Sequence, residues 1–160
     1  MNLDRPGTTI DDPTLGLTLS GGGAFGAAHV GVLQVLEERG IRPGIVTGTS
    51  SGALVGSAFA AGLDGEALEE VARRFRWSRI ANWTLRPRLG LLDTRVLATG
   101  IEGLLGADPL IEHLPRRFGA VATDLGARRT VTLDQGPLST ALRATIAVPG
   151  LISPIRVDGR

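Results

Sequence analysis

The chain has 160 residues, 17 basic against 16 acidic side chains for a net charge of +1, and 23 glycines, roughly double the ordinary ~7%. Its 42% hydrophobic content suits one globular domain, and the lack of cysteine excludes disulfides, thiolate metal sites and a cysteine nucleophile. Every basic residue is arginine, which excludes a Walker-type phosphate loop and lysine-based catalysis, while the near-neutral balance argues against a globally nucleic-acid-binding domain.

Residues 1–13 carry Asp4, Asp11 and Asp12 without an apolar run. They do not read as a secretory signal and are expected to form a flexible leader ahead of one domain over 14–160. Residues 13–36 and 43–63 lack Asp, Glu and Arg and are long enough to raise a membrane-span reading. The glycines, serines and threonines of the second stretch favour another parse: strand, glycine turn and helix, performed twice. The first unit is a strand over 15–19, a loop over 21–26 and a helix over 27–39 ending at Gly40. The second is a strand over 45–47, a turn over 48–52 and a helix over 53–61 stopped near Gly62. Successive units of this kind predict a parallel sheet with helices packed on it, with Gly31 and Gly56 letting the adjoining helices approach closely.

Asp64 is placed to cap an amphipathic helix with Leu68, Val71, Ala72 and Phe75 on one face. Residues 71–92 hold no acid but six arginines, Arg73, Arg74, Arg76, Arg79, Arg86 and Arg88, interleaved with Phe75, Trp77 and Trp83. A helix is expected over 93–105, strands over 118–123 and 130–133 around a turn at 125–128, a helix over 138–148 broken at Pro149-Gly150, and a last strand over 155–157.

The strongest chemical signal is Gly48-Thr49-Ser50-Ser51-Gly52, a G-x-S-x-G run after an apolar strand and before a helix of small residues. A sharp strand-to-helix turn holds such a serine proud of the sheet, and glycine on both sides removes colliding side chains. The helix that follows aims its N–H groups and positive dipole end where an oxyanion would form. As a pattern alone, the run also fits a polar loop with a helix cap. Its context is Gly21-x-Gly23-x-x-Gly26, which likewise follows a strand and opens a helix. A dinucleotide site would need an acid about 20 residues further on, at the end of the second strand; Glu37 and Glu38 fall on the intervening helix instead. Both glycine turns belong at carboxyl ends of neighbouring parallel strands, where open α/β sheets bind ligands. The two histidines are poorly placed as bases for Ser50: His29 precedes the serine and belongs to a helix of small residues, and His113 lacks a turn that would deliver it.

Together with Gly21-Gly-Gly-Ala-Phe-Gly26, Ala27-Ala-His-Val-Gly-Val-Leu33 and Gly48-Thr-Ser-Ser-Gly52, the segments Ala122-Thr-Asp-Leu125 and Ala141-Leu-Arg-Ala-Thr-Ile-Ala-Val-Pro-Gly150 make the chain resemble the patatin-like phospholipase family from about residue 15 onward. The resemblance implies a three-layer α/β fold with a mainly parallel central sheet and helices on both faces. It also implies a serine lipid acyl hydrolase using a Ser-Asp dyad without histidine, metal or cofactor. On this sequence Ser50 would be the catalytic nucleophile in the elbow Gly48, Thr49, Ser50, Ser51 and Gly52. Gly21, Gly22, Gly23, Ala24 and Gly26 with Ser51 would form the oxyanion hole.

Two departures stand out. Phe25 occupies a position where the family often has Arg or Lys. The family's aspartate belongs to a D-G-G or D-G-A turn, whereas the nearest match is Asp158-Gly159-Arg160, which looks like a hairpin turn; the expectation is therefore a domain whose C-terminal part, with the catalytic aspartate, is missing. The resemblance implies a lipid ester or phospholipid substrate. Arg73, Arg74, Arg76 and Arg79 with Trp77 and Trp83 are candidates for peripheral contact with a membrane surface, the alternative being a solvated helix face. No nucleic-acid partner is expected, and a cytoplasmic location follows from this reading. The rival to the enzyme reading is a truncated, non-catalytic domain that binds lipid or a protein partner.

Overall fold

The computed structural model describes residues 10–74, 82–83, 92–94 and 96–159. Strand β1 (Ile10–Leu19) pairs in parallel with β2 (Ile41–Gly48), and Leu19 faces Gly48, so the two strands end side by side. Residues 10–13, expected in the leader, thus belong to β1, whose register shifts between Asp12 and Gly16. Strand β5 (Arg117–Asp124) lies parallel to β2 on its other side, and β6 (Arg129–Leu133) returns antiparallel, giving the order β1-β2-β5-β6. The turn between β5 and β6 forms because Asp124 Oδ1 accepts the N–H groups of Gly126 and Ala127, at 3.0 and 2.9 Å. A short antiparallel pair, β3 (Asn82–Trp83) with β4 (Leu92–Asp93), stands apart from this sheet.

The helices are α1 (Ala27–Glu38), α2 (Ser51–Ala60), α3 (Gly65–Arg74), α4 (Val96–Leu105) and α5 (Leu138–Thr145). Strand-helix-strand-helix order therefore holds as the glycine turns predict. Alternation sorts the strand residues: Leu19, Val46, Phe118 and Ala120 turn to one face and are buried. On that face α2 comes so close that a Cβ on Gly56 would lie 3.0 Å from Val46 Cγ1 and 3.3 Å from Leu19 Cδ1. One core joins Val46, Phe118 and Ala120 to Val30 and Leu33 of α1, Leu68 of α3, Ile101 of α4 and Leu138, Ala141 and Leu142 of α5. Burial of each large aliphatic side chain contributes about 1.5–3 kcal/mol. On the opposite face Thr18 and Thr47 join hydroxyls at 3.0 Å, and Thr18 is exposed.

Gly56 thus serves close packing as expected, but Gly31 does not: a Cβ there would meet nothing within 4 Å, since Gly31 lies on the solvent side of α1. The strand expected at 155–157 is absent. Pro154 offers no N–H, and the segment runs through non-regular backbone into a turn with Asp158 at φ 49.

Helix α5 is stitched at its start. Asp108 accepts both the N–H and the hydroxyl of buried Ser139, at 2.9 and 2.6 Å. Ile111 N–H bonds the Gly136 carbonyl and Leu138 N–H the Pro109 carbonyl, each at 2.9 Å. Glu112 accepts the Gly136 N–H at 2.8 Å, and backbone N–H donors, first its own and then that of Gly136, hold its carboxyl below its ordinary value. The unfolded chain takes up this proton at higher pH than the folded one. The contact therefore stabilises the fold above the ordinary glutamate value of about 4.3 and is lost as pH falls through the lowered folded value. Glu112→Gln should lower the urea midpoint at about pH 7, with the gap closing at about pH 3; an equal gap at both would exclude this contribution.

Candidate active site

Ser50 sits where β2 turns into α2, with φ 51 and ψ −121. A non-glycine residue in such a conformation costs about 1–3 kcal/mol and persists only where its surroundings over-determine it. Here the flanking backbone is pinned on both sides. Thr49 N–H bonds the Leu19 carbonyl of β1 at 3.1 Å, Gly52 N–H the Thr49 carbonyl at 2.9 Å, and Leu54 N–H the Ser50 carbonyl at 3.1 Å. The turn lies directly on the end of β1: a Cβ on Gly52 would come 2.4 Å from Leu19 O and 2.5 Å from Ser20 O. A Cβ on Gly48 would come 2.5 Å from the Ala53 nitrogen. The two glycines of the motif are therefore required by backbone-to-backbone contact.

The first glycine turn lies against the second. A Cβ on Gly21 would touch Ser50 Cβ at 3.4 Å, and one on Gly26 would overlap Ser51 at 2.5 Å from its Cβ. Between them, Gly23 takes φ 56 and opens a 3-10 turn (Gly23–Gly26) that leads straight into α1. Residues at the start of a helical turn have N–H groups without intrahelical carbonyls, and Gly23 and Ala24 here, like Ser51 at the start of α2, occupy such positions. Phe25 projects from this turn with 85% of its surface exposed. His29 reaches back from α1, its Nε2–H donating to the Ser20 carbonyl at 2.8 Å, which ties the beginning of the loop to the helix. The Ser51 hydroxyl is buried and has no hydrogen-bond partner among the described residues.

The structure thus gathers Gly21, Gly26, Gly48, Thr49, Ser50, Ser51 and Gly52 into one site. Other candidates lie elsewhere. His113 is exposed in the 3-10 turn Ile111–His113, close to Arg116, whose N–H bonds the Ala60 carbonyl at the far end of α2. Ser50 stands at the near end of that ten-residue helix, about 15 Å away along its axis. Asp158 is exposed in its turn. Arg73 and Arg74 are exposed but paired with Glu69 and Glu70 one helical turn back, Arg73 at 2.6 Å. Hydrogen bonds from Arg73, then Gln34, hold the Glu69 carboxyl below its ordinary value. Arg76, Trp77 and Arg79 lie outside the described residues, as does the side chain of Trp83. Among the described residues no group of three or more His, Cys, Asp or Glu side chains is arranged to hold a metal ion.

One participant was not anticipated. The Ser50 N–H donates to Thr145 Oγ1 at 2.8 Å across a separation of 95 residues. Thr145, the last residue of α5, lies within the 141–150 segment that carries the resemblance, but nothing local there marks it as a partner of Ser50.

The close contacts predict opposite outcomes at two glycines. Gly52→Ala should destabilise by about 1–3 kcal/mol through backbone overlap, whereas Gly31→Ala, in open space on a helix, should stabilise by about 0.5–1 kcal/mol. Denaturant titration distinguishes them, and shifts of the same sign would contradict the packing described.

A family model described as patatin-like phospholipase matches residues 17–160. An uncharacterized NTE family protein of Mycobacterium tuberculosis is 45% identical over 157 residues, which take in 92% of this chain and 41% of that protein. Lysophospholipase nte1 of Emericella nidulans is 33% identical over 150 residues, 91% of this chain and 10% of that protein. The chain therefore spans about two fifths of the length of the mycobacterial relative. Among solved structures, VipD from Legionella pneumophila superposes with a TM-score of 0.67 at 15% identity, covering 94% of this chain and 47% of that one. The type III effector protein ExoU gives 0.54 at 18% identity, covering 88% and 40%. At these identities the likeness concerns the fold. With a family model matching all but the first 16 residues, the chain belongs to the patatin-like phospholipase family.

Proposed function

We propose that the chain carries the nucleophile and oxyanion hole of a serine-dependent lipid acyl hydrolase, a phospholipase or esterase, with Ser50 as the nucleophile. The observation that supports this reading best is the conformation of Ser50, φ 51 at a strand-to-helix turn, with Gly21 and Gly26 packed against Ser50 and Ser51. Within the Gly48–Gly52 turn the strain falls on Ser50, and that residue bears a hydroxyl.

In the proposed reaction Ser50 Oγ attacks the carbonyl carbon of a lipid ester, and its proton passes to a base. The C–O bond to the alcohol breaks, the alcohol leaves with a proton, and water then releases the acid from acyl-Ser50. The tetrahedral oxyanion is received by N–H groups of the Gly22 to Ala24 segment and of Ser51. Loss of one such donor costs on the order of 100- to 1000-fold in rate elsewhere. His29 is not the base in this scheme, since its Nε2 is engaged by the Ser20 carbonyl. The base is a carboxylate, as the family resemblance implies, and none of the described acids is assigned to it.

Exposed Phe25 suits contact with acyl chains, and at the glycine turn it replaces the cation common in the family with an apolar anchor. Arg73 and Arg74 spend their charge on Glu69 and Glu70, so apolar contact at the site contributes more to lipid binding than this pair does. No helix among the described residues is long and apolar enough to cross a membrane; peripheral contact at a cytoplasmic membrane surface is the proposed mode.

Two outcomes are expected. A fluorophosphonate probe should label the chain covalently, and the chain should hydrolyse a short nitrophenyl ester; Ser50→Ala should abolish both. A folded chain that binds vesicles but neither labels nor turns over would replace this reading with the lipid-binding one. Phe25→Ser should weaken partition onto phosphatidylcholine vesicles by about tenfold, the equivalent of ~1.4 kcal/mol; unchanged partition would remove Phe25 from the lipid contact.

A further inference from the structure

We propose that Thr145 is the positioning residue of the Ser50 elbow: a hydroxyl that locks the nucleophile's own backbone to the sheet and to α5. The proposal rests on Ser50 being the nucleophile, and its geometry is read directly from two hydrogen bonds. Thr145 Oγ1 accepts the Ser50 N–H at 2.8 Å and donates its proton to the Val121 carbonyl at 2.5 Å. A hydroxyl has one proton to give, and here that proton is committed to β5, which leaves a lone pair facing the elbow. The bridge thus joins three elements distant in sequence: the turn after β2, the strand β5 and the end of α5.

The consequences bear on Ser50 alone. Its φ of 51 must be held from outside, and the glycine contacts fix the residues around it rather than its own N–H. Thr145 captures that N–H and so sets the peptide plane from which the Ser50 side chain departs. It also turns the Ser50 amide toward α5, leaving oxyanion binding to the glycine turn and Ser51. The other end of α5 is held by Asp108 through Ser139, so the helix acts as a strut of fixed length with the elbow at its end. Ser50, Thr145 and Val121 are all half-buried, where a lost partner is replaced poorly by water.

Valine matches threonine in shape but lacks the hydroxyl, and serine keeps the hydroxyl while losing the methyl. Three proteins, the parent chain, Thr145→Val and Thr145→Ser, should be compared for the second-order rate of labelling by a fluorophosphonate probe and for exchange of the Ser50 amide proton. The labelled fraction is normalised to the folded fraction from denaturant titration. Thr145→Val should label on the order of 10- to 100-fold more slowly, the penalty expected for a displacement of about 1 Å at a reacting atom. It should also exchange the Ser50 amide faster by a similar factor, with the amides of β1 and β2 unchanged. Thr145→Ser should return both to within about threefold of the parent. A general loss of packing would not be rescued by serine, nor would it single out one amide.

Parent-like labelling and exchange in Thr145→Val would overturn the proposal. Equal defects in Thr145→Val and Thr145→Ser would overturn it too, by assigning the effect to the methyl group. If the folded parent chain does not label at all, the nucleophile reading fails. Selective deprotection of the Ser50 amide in Thr145→Val would then still support the bridge, and unchanged protection would reject it.

Discussion

Where β2 passes into α2, the chain lies on the end of β1 with no room for a single methyl group. The carbonyls of Leu19 and Ser20 occupy the space a side chain at position 52 would need, and the Ala53 nitrogen occupies that of one at position 48. This contact explains why two parallel strands end level with each other and why the turn is too tight for an ordinary loop. Ser50, at the middle of the turn, is therefore bent into a conformation that L-residues avoid. Everything proposed about Ser50 depends on that crowding. The strain is local, and its support comes from hydrogen bonds made by neighbours whose own positions are set by the core.

That core is shared by the sheet and by the five α-helices among the described residues, so the site is assembled by elements with little in common along the chain. β1 supplies the floor of the turn, α1 returns His29 to the glycine loop, and α5 brings a hydroxyl to the Ser50 amide. Precision at the site then rests on the ends of helices rather than on their middles. α3 illustrates the same device away from the site. Its first residue, Gly65, donates its N–H to Glu37 and accepts from Gln34, at 2.8 and 3.2 Å, so that it packs on α1. Asp64 Oδ1 meanwhile caps it by accepting the Ala67 N–H at 2.9 Å, as the sequence suggests.

Much of this was readable from residue order alone, and the reason is that glycine-rich turns are local. Gly21 to Gly26 and Gly48 to Gly52 each announce a strand-to-helix reversal within a few residues, and the parallel pairing of their strands follows from the repetition. The β5–β6 turn was equally legible, because Asp124 closes it with its immediate neighbours. The Thr145 bridge was not, since its partners lie 95 and 24 residues away and threonine at a helix end has many uses. Gly31 was misread for a related reason: a glycine in a helix of small residues looks like a packing site until the exposed face is known. The missing strand at 155–157 shows that alternating apolar residues make a strand only where backbone partners exist.

The Ser51 hydroxyl, buried without a partner, lies where a side chain on Gly26 would have to go. Positions 26 and 51 therefore divide a single small volume, although one belongs to the glycine loop and the other to α2. The volume permits a side chain at 51 only because there is none at 26. Divergence of these two positions is ordered by that exchange: position 51 must first give up its atoms before position 26 can acquire any. The allowed residues at the two sites form a joint set of pairs rather than two independent lists.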